Sequence, residues 1–303
     1  MPRGDSKRYV DHLLRLCKKE KIDVIMPGSN PEILTISKNK DFLISNYIYP
    51  AISEYDAITK TMDKNLVYKI LEKNKISIPD FFHVQSKKEF LQAIRKLGYP
   101  KFPVCFKPSS YTSSGGARGF RILRKENSLK KIILDSKPGS AEIDYDTALR
   151  LLETSKNLDL LVMEYLPGRE YSVYVLADKG KTIYCIANLR ERLEQFYSFQ
   201  AVTINDERIN SICKRIVNAL DLSYNVNIQL KLSRNGIPKV VEINPRMGGS
   251  IVLPSAAGIN MPYLAVKQAV GERLPKNMKL RKTRMIRYWK ELFVRDSKGF
   301  EYL

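Results

Sequence analysis

Asn235-Gly236 stands between two runs of alternating apolar and polar residues, NVNIQLKLSR and IPKVVEINPR, and no other stretch restricts the chain so narrowly. An Asn-Gly step supplies the backbone conformations that a tight hairpin needs. With these two residues as the loop, Arg234 faces Ile237, Gln229 faces Glu242 and Asn227 faces Asn244. Side chains alternate along a strand, so these four oxygen-bearing residues share one face, while Ile228, Leu230, Val241 and Ile243 take the other. A polar strand face is often merely solvated. Asn is disfavoured in strands, however, and two of them opposite each other beside a Glu and a Gln mark a face built to bind. One carboxylate with neighbouring amide carbonyls is a set of hard oxygen ligands suited to Mg²⁺, which keeps several waters and completes its shell with phosphates. Arg246 and the turn Gly248-Gly249-Ser250 then set a guanidinium and a backbone-rich bend where a phosphate can sit.

A second phosphate-binding candidate lies upstream. FPVCFKP reads as a strand, Ser113-Ser114-Gly115-Gly116-Ala117-Arg118-Gly119 as a glycine loop, and FRIL as a strand again. The loop lacks a GK[ST] ending and runs into a strand, so it is not a P-loop. Its backbone N–H groups can still approach an anion, with Lys107 at the end of the preceding strand aimed at the same phosphates. The plainer reading is a flexible hairpin connection.

Composition removes most other chemistries. Cys17, Cys105, Cys185 and Cys213 form no CxxC pair, and His12 and His83 have no nucleophile or metal partner at a recognisable spacing. Catalysis must therefore run on carboxylates, amides, lysines and arginines. With 44% apolar and 28% charged residues, the 303-residue chain is globular rather than disordered or fibrous. The uncharged run from Arg246 to Lys267 is interrupted by glycines and prolines, so no membrane span is expected. The N-terminus carries no secretion signal, and a cytoplasmic protein is expected. A net charge of +20 points to an anionic partner. The basic stretch from Lys276 to Lys290, interleaved with Tyr288 and Trp289, reads as a solvated face, and nucleic acid is not the expected partner.

Elsewhere the pattern is αβ. Helices are predicted over 8–19, from Asp63 (apolar Leu66, Val67, Ile70, Leu71), behind a Ser86/Glu89 capping box, and over 206–220. DVIMP at 23–27 reads as a buried parallel strand, LVMEYL at 161–166 as another strand, and EYSVYVLADKGKTIYCIANL as a hairpin turning at Lys179-Gly180.

In order and spacing, Lys107 before a glycine loop, Met-Glu-Tyr-Leu followed by Pro-Gly-Arg-Glu, and a Gln strand paired with Glu-Ile-Asn-Pro-Arg resemble the ATP-grasp superfamily over residues 55–275. YNVNIQ and EINPRMGGS are closest to its carbamoyl-phosphate-synthase-like carboxylate-amine ligases. The resemblance implies an α/β chain of the ATP-grasp fold, with two α+β subdomains clasping ATP. Residues 61–303 would form it, 101–166 as the lid subdomain and 167–303 as the metal and substrate subdomain, behind a partial Rossmann-like unit at 1–60. Lys64 and Lys107 match the phosphate-holding basic pair, and the loop of Ser114, Gly115, Gly116, Arg118 and Gly119 matches the phosphate lid. Glu164, Tyr165 and Leu166 resemble the strand that meets adenine, and Glu170 the ribose ligand. Gln229, Glu242 and Asn244 match metal ligands, and Arg246 the arginine that steadies the transferred phosphoryl group. Arg190 and Arg192 are candidates for the substrate carboxylate. The implied reaction joins a small carboxylate, an amino acid or peptide-like metabolite, to an amine through an acyl phosphate, with ATP and Mg²⁺ (or Mn²⁺). The alternative is a non-catalytic nucleotide-binding module. Relatives usually begin with a complete Rossmann-like domain, and the shorter start here leaves three readings: a start codon placed too late, a companion chain that supplies the missing strands, or a trimmed enzyme that exposes an edge and forms a homodimer.

Overall fold

The first helix, α1 (Tyr9–Glu20), buries Tyr9, Leu13 and Cys17 at the i, i+4, i+8 spacing of one helical face. Two short parallel strands follow around two more helices: β1 (Val24–Ile25), α2 (Asn30–Lys38), α3 (Lys40–Ser45) and β2 (Tyr49–Pro50). The computed structural model describes residues 1–109, 119–125, 141–154, 157–194 and 197–291. Ser29 caps α2, and Glu32 Oε2 accepts the Ser29 N–H at 2.9 Å. β1 is half-buried rather than buried, because among the described residues it pairs with β2 alone. Ile33, Ile36, Leu43 and Ile52 form the core of this N-terminal unit, joined by Ile58 of α4 (Tyr55–Met62). Ala57 of the same helix belongs to the main core, so the boundary expected at residue 60 falls inside one helix. The unit is fastened to the rest of the chain by a reciprocal pair: Ser53 Oγ donates to the Ser223 carbonyl at 2.8 Å, and the Ser223 N–H donates back to Ser53 Oγ at 2.9 Å.

Asp63 starts α5 (Lys64–Lys73) by accepting the Leu66 N–H at 3.0 Å. The buried stripe is Lys64, Val67, Tyr68 and Leu71. Leu66, expected inside, is 40% exposed, because the face is rotated to bring Tyr68 under the sheet. A five-stranded sheet is built from β3 (Phe81–Val84), β4 (Val104–Pro108), β5 (Arg121–Leu123), β6 (Glu142–Ile143) and β7 (Leu160–Glu164), in the order β3-β7-β4-β5-β6. Helices α6 (Lys87–Lys96) and α7 (Tyr145–Thr154) cover it, with Phe90, Ile94, Ala148 and Leu152 against Val104, Phe106 and Val162. Ser86 accepts the Glu89 N–H, but Glu89 reaches back to Gln85 N–H at 2.6 Å, one residue beyond the expected box. This sheet takes in β3, upstream of the expected start at residue 101.

Residues Tyr165–Arg169 lead from that sheet into a second, six-stranded one. It comprises β8 (Glu170–Asp178), β9 (Lys181–Glu194), β10 (Tyr197–Ile204), β11 (Tyr224–Leu232), β12 (Pro238–Asn244) and β13 (Arg284–Ile286), in the order β12-β11-β8-β9-β10-β13. Every pairing is antiparallel. Its apolar face packs Val173, Val175, Ala187, Ile228 and Leu230 on α8 (Glu207–Ala219), whose Ile209, Cys213, Ile216 and Val217 are fully buried. Fully burying each such side chain contributes roughly 1.5–3 kcal/mol. The opposite face is polar, and its far end is covered by α9 (Val252–Ala256) and α10 (Met261–Ala269).

The hairpin of β11 and β12 reaches the expected pairing by a different route. Ser233 pairs with Ile237 (N···O 2.9 Å), leaving three loop residues, Arg234, Asn235 and Gly236, with Gly236 at φ +74°. Leu230 consequently faces Val240 and Lys231 faces Lys239, one residue out of the expected alignment. An irregularity between Gln229 and Leu230 then inserts Val241 as an extra residue, which restores Gln229 opposite Glu242 and Asn227 opposite Asn244. Val240, rather than the expected Val241, joins the core.

Candidate functional site

On the polar face of the six-stranded sheet, Glu242, Gln229, Ser172, Asn188 and Thr203 are cross-strand neighbours in one line. Asn244, Asn227, Tyr174 and Ile186 form the next line, and Lys231, Glu170, Arg190 and Ala201 the line on the other side. Asn244 Oδ1 accepts from Arg246 Nη2 at 3.4 Å, so the expected metal set of Gln229, Glu242 and Asn244 is brought together with Arg246 beside it. Asn227 is withdrawn from that set. It is buried, its Nδ2 donates to Ser172 Oγ at 2.8 Å, and its amide lies beneath Gly248, where an added Cβ would come within 2.9 Å of Asn227 Cγ.

The extra residue in β12 has a chemical consequence. A bulged residue steps out of the ladder, and the Val241 carbonyl accepts from Lys107 Nζ at 2.9 Å and from the Tyr68 hydroxyl at 3.1 Å. Lys107 thus crosses from the five-stranded sheet to the edge of the six-stranded one. Lys64 lies in the same cleft, its Nζ donating to the Pro108 carbonyl at 3.2 Å. Thr61, Lys64, Tyr68, Lys107, Val241 and Glu242 all line this cleft. Burial pushes the Lys107 ammonium below its ordinary pKa, against the pull of Glu242. Burial and the charge of Lys107 together lower Lys64 to about 8, with Glu242, Asp63 and Asp159 acting in the other direction. Two cations thus share a cleft lined, among the described residues, by one acid, an arrangement that favours a polyanion.

Around this centre, Glu164 Oε1 accepts the Asp80 N–H at 3.1 Å and pairs with Lys239 of β12, so the segment expected to meet adenine also ties the two sheets together. Tyr165 lies between Arg124 (5.2 Å) and Lys231 (5.4 Å), and Leu166 is buried. Glu170, expected on ribose, is ion-paired with Arg190, expected on substrate, and Arg190 Nε also donates to Ser198 Oγ at 2.9 Å. Arg192 is more exposed and pairs with Glu194. Of the expected lid, Ser114, Gly115, Gly116 and Arg118 lie outside the described residues, while Gly119 has φ +79°.

Several residues in the site carried no sequence signal of their own. Tyr68 stands four residues after Lys64, on the same face of α5, which could have flagged it. Asp159 holds Ser109 directly after β4: its side chain accepts from Ser109 Oγ and lies 2.6 Å from His83 Nε2. Burial would raise its pKa, but the hydrogen bonds from Ser109 and His83 hold it below the ordinary carboxylate range. Only a map of β3, β4 and β7 as neighbours reveals this grouping. Among the described residues no cluster of three or more His, Cys, Asp or Glu side chains forms a metal site, and no helix is long and apolar enough to cross a membrane.

Comparison with known proteins gives consistent similarities. The family described as "ATP-grasp in the biosynthetic pathway with Ter operon" matches residues 156–292. The carbamoyl phosphate synthase large chain of Thermoanaerobacter pseudethanolicus is 25% identical over 280 residues, covering 88% of this chain but 23% of that protein. The chain therefore spans about a quarter of the length of such relatives. The biotin carboxylase domain of Hydrogenobacter thermophilus 2-oxoglutarate carboxylase, solved with MgADP and bicarbonate, superposes with a TM-score of 0.67 at 17% identity, covering 92% of this chain and 60% of that one. An L-amino acid ligase from Bacillus licheniformis superposes with a TM-score of 0.59 at 16% identity, covering 89% and 62%.

Proposed function

We propose that this chain, which carries an ATP-grasp domain and has the ATP-grasp fold, is an ATP-dependent ligase that joins a small carboxylate to an amine. The observation that carries the reading is the convergence of Lys64, Lys107 and Glu242 in one cleft between the two sheets. Phosphoryl transfer needs positioning and charge neutralisation more than a nucleophilic side chain, which suits a site of lysines, arginines and oxygen ligands. Lys64 and Lys107 would hold the ATP phosphates, with Ser114, Gly115, Gly116, Arg118 and Gly119 closing over them. Tyr165 and Leu166 with the Glu164 backbone would meet adenine, and Glu170 the ribose. One carboxylate and two amide carbonyls are hard oxygen donors, so Gln229, Glu242 and Asn244 fit Mg²⁺, which neutralises phosphate charge when bound. A substrate carboxylate oxygen, held by Arg190 or Arg192, attacks the γ-phosphorus as the bond to ADP breaks, with Arg246 steadying the transferred group. The amine then attacks the acyl carbon, phosphate leaves, and the amine's surplus proton passes to solvent.

ADP and phosphate released in equal amounts when purified protein, ATP and Mg²⁺ are given matched carboxylates and amines is the expected result. Nucleotide binding with no release from any pair is the behaviour of a non-catalytic binding module.

Lys64 gives a pH signature. Its folded-state pKa of about 8 lies below the ordinary lysine value, so between about pH 8 and 10 the unfolded chain binds more protons and stability rises with pH. Bound phosphates favour the ammonium. Nucleotide binding near pH 8 is therefore expected to take up protons, and affinity to fall as pH rises further. Titration calorimetry in buffers of differing ionisation enthalpy measures the uptake; none at pH 8 would place Lys64 away from the phosphates.

A further inference from the structure

The stretch from Lys276 to Lys290 carries Lys or Arg at seven positions and no Asp or Glu. It is not a loose tail. Met278 and Leu280 pack into the cluster of Tyr174, Leu176 and Leu264, and the Arg281 N–H donates to the Ala257 carbonyl at 2.8 Å. β13 then joins the sheet as its outermost strand among the described residues. There the Thr203 N–H donates to the Thr283 carbonyl and the Arg287 N–H to the Phe199 carbonyl, both at 2.9 Å, while Arg287 Nη2 reaches the Gly249 carbonyl at 2.6 Å. The backbone is fixed, yet large side chains on it stand in solvent: Tyr288 is 82% exposed and Trp289 80%, with Tyr197 of β10 at 63%. Tryptophan is highly buried on average, so one left open on a fastened edge marks a contact surface. Trp289 lies against Phe199 with ring centroids 5.9 Å apart, and Phe199 carries the Arg192 guanidinium at 5.9 Å. Two carboxylates of β9 answer part of the charge, Glu191 pairing with Arg284 at 3.0 Å and Glu194 with Arg192. Among the described residues Lys276, Lys279, Arg281 and Lys282 have no carboxylate partner.

We propose that this edge binds single-stranded nucleic acid, with phosphates on Lys279, Arg281 and Lys282 and bases stacked on Tyr288 and Trp289. Unpaired cations followed along one strand by open rings match a chain of phosphodiesters and unstacked bases. A duplex keeps its bases stacked on one another and leaves the rings unused. Contacts of this kind read neither the base sequence nor the sugar. The edge shares no residue with the cleft of Lys64 and Lys107, and the proposal does not rest on the ligase reading.

Trp289 is the chain's one tryptophan, so its fluorescence reports on this edge alone. Oligouridine and oligothymidine of about twelve nucleotides, within the site sizes of single-strand binders, are expected to quench it alike when titrated into the full chain. Three neutralised phosphates at roughly −0.7 each set a slope of about −2 for log affinity against log salt. Trp289→Ala, followed by anisotropy of a labelled strand, is expected to bind about tenfold more weakly, and Arg281→Glu with Lys282→Glu at least as weakly. Arg15→Glu with Lys19→Glu makes the same charge change at exposed positions of α1 and is expected to cost less than about threefold. All five side chains are exposed, so the fold is expected to survive each change. Strands that bind without quenching Trp289, an equal loss from the α1 pair, or a duplex of the same length that quenches as strongly overturns the proposal. A Trp289 signal that answers to phosphatidylserine vesicles or to polyglutamate but to neither strand assigns the edge to another partner and overturns it as well.

Discussion

Glu242→Ala is expected to reduce ADP release by at least about two orders of magnitude, the usual scale for removing one preorganised charge-stabilising group. Glu242 is the acid among the described residues lining the cleft of Lys64 and Lys107, and its charge acts on both ammonium groups and on Tyr68. Without it Lys64 keeps the offsetting charges of Asp63 and Asp159 but loses the largest one, so the proton uptake at Lys64 should move below pH 8. Glu242→Gln keeps the shape and one oxygen and removes the charge. A loss close to that of Glu242→Ala would assign the effect to charge. Activity within tenfold of the parent in both variants would place the metal ligands elsewhere and sink the ligase assignment.

The second large effect carries opposite signs for activity and stability. Lys107→Met is expected to abolish measurable turnover while raising the melting temperature by several degrees, because exchanging a buried cation for an apolar side chain of similar length is worth about 1–4 kcal/mol when its desolvation is poorly compensated. The Val241 carbonyl would not be orphaned, since the Tyr68 hydroxyl still donates to it. A variant that loses turnover and stability together would mark Lys107 as a structural strut between the sheets. Stability gained with turnover intact would remove it from the phosphate site. A thermal melt beside the ADP-release assay separates these cases.

Much of this site was legible from local pattern. Strand alternation placed Gln229, Glu242 and Asn244 on one face, and the lysine at the end of a strand before a glycine loop lies in the cleft as expected. What stayed hidden depends on irregularities and on long-range neighbours. The ion pair of Glu170 with Arg190 follows from a register shift between Leu176 and Ala177; extending the Lys179-Gly180 turn without it would set Glu170 opposite Leu189. Bulges leave little trace in an apolar–polar pattern, because both neighbours of the inserted residue retain acceptable environments. Asn225 reads as one more polar strand residue. Its place beside the N-terminal unit becomes visible once the loop after β1 and the turn after β12 are seen to meet across more than two hundred residues of chain.

Two geometries could align Gln229 with Glu242, and they are not interchangeable. A tighter connection at Asn235-Gly236, shortened by one residue, would bring the pair level without the insertion at Val241, and a designer inspecting the sheet alone would judge it an improvement. Regularising the strand would return the Val241 oxygen to the interstrand ladder and strip Lys107 of its anchor. An apparent imperfection in the weave is thus what carries an ammonium group from one half of the molecule to the other, and smoothing it would yield a sounder sheet around an emptier cleft.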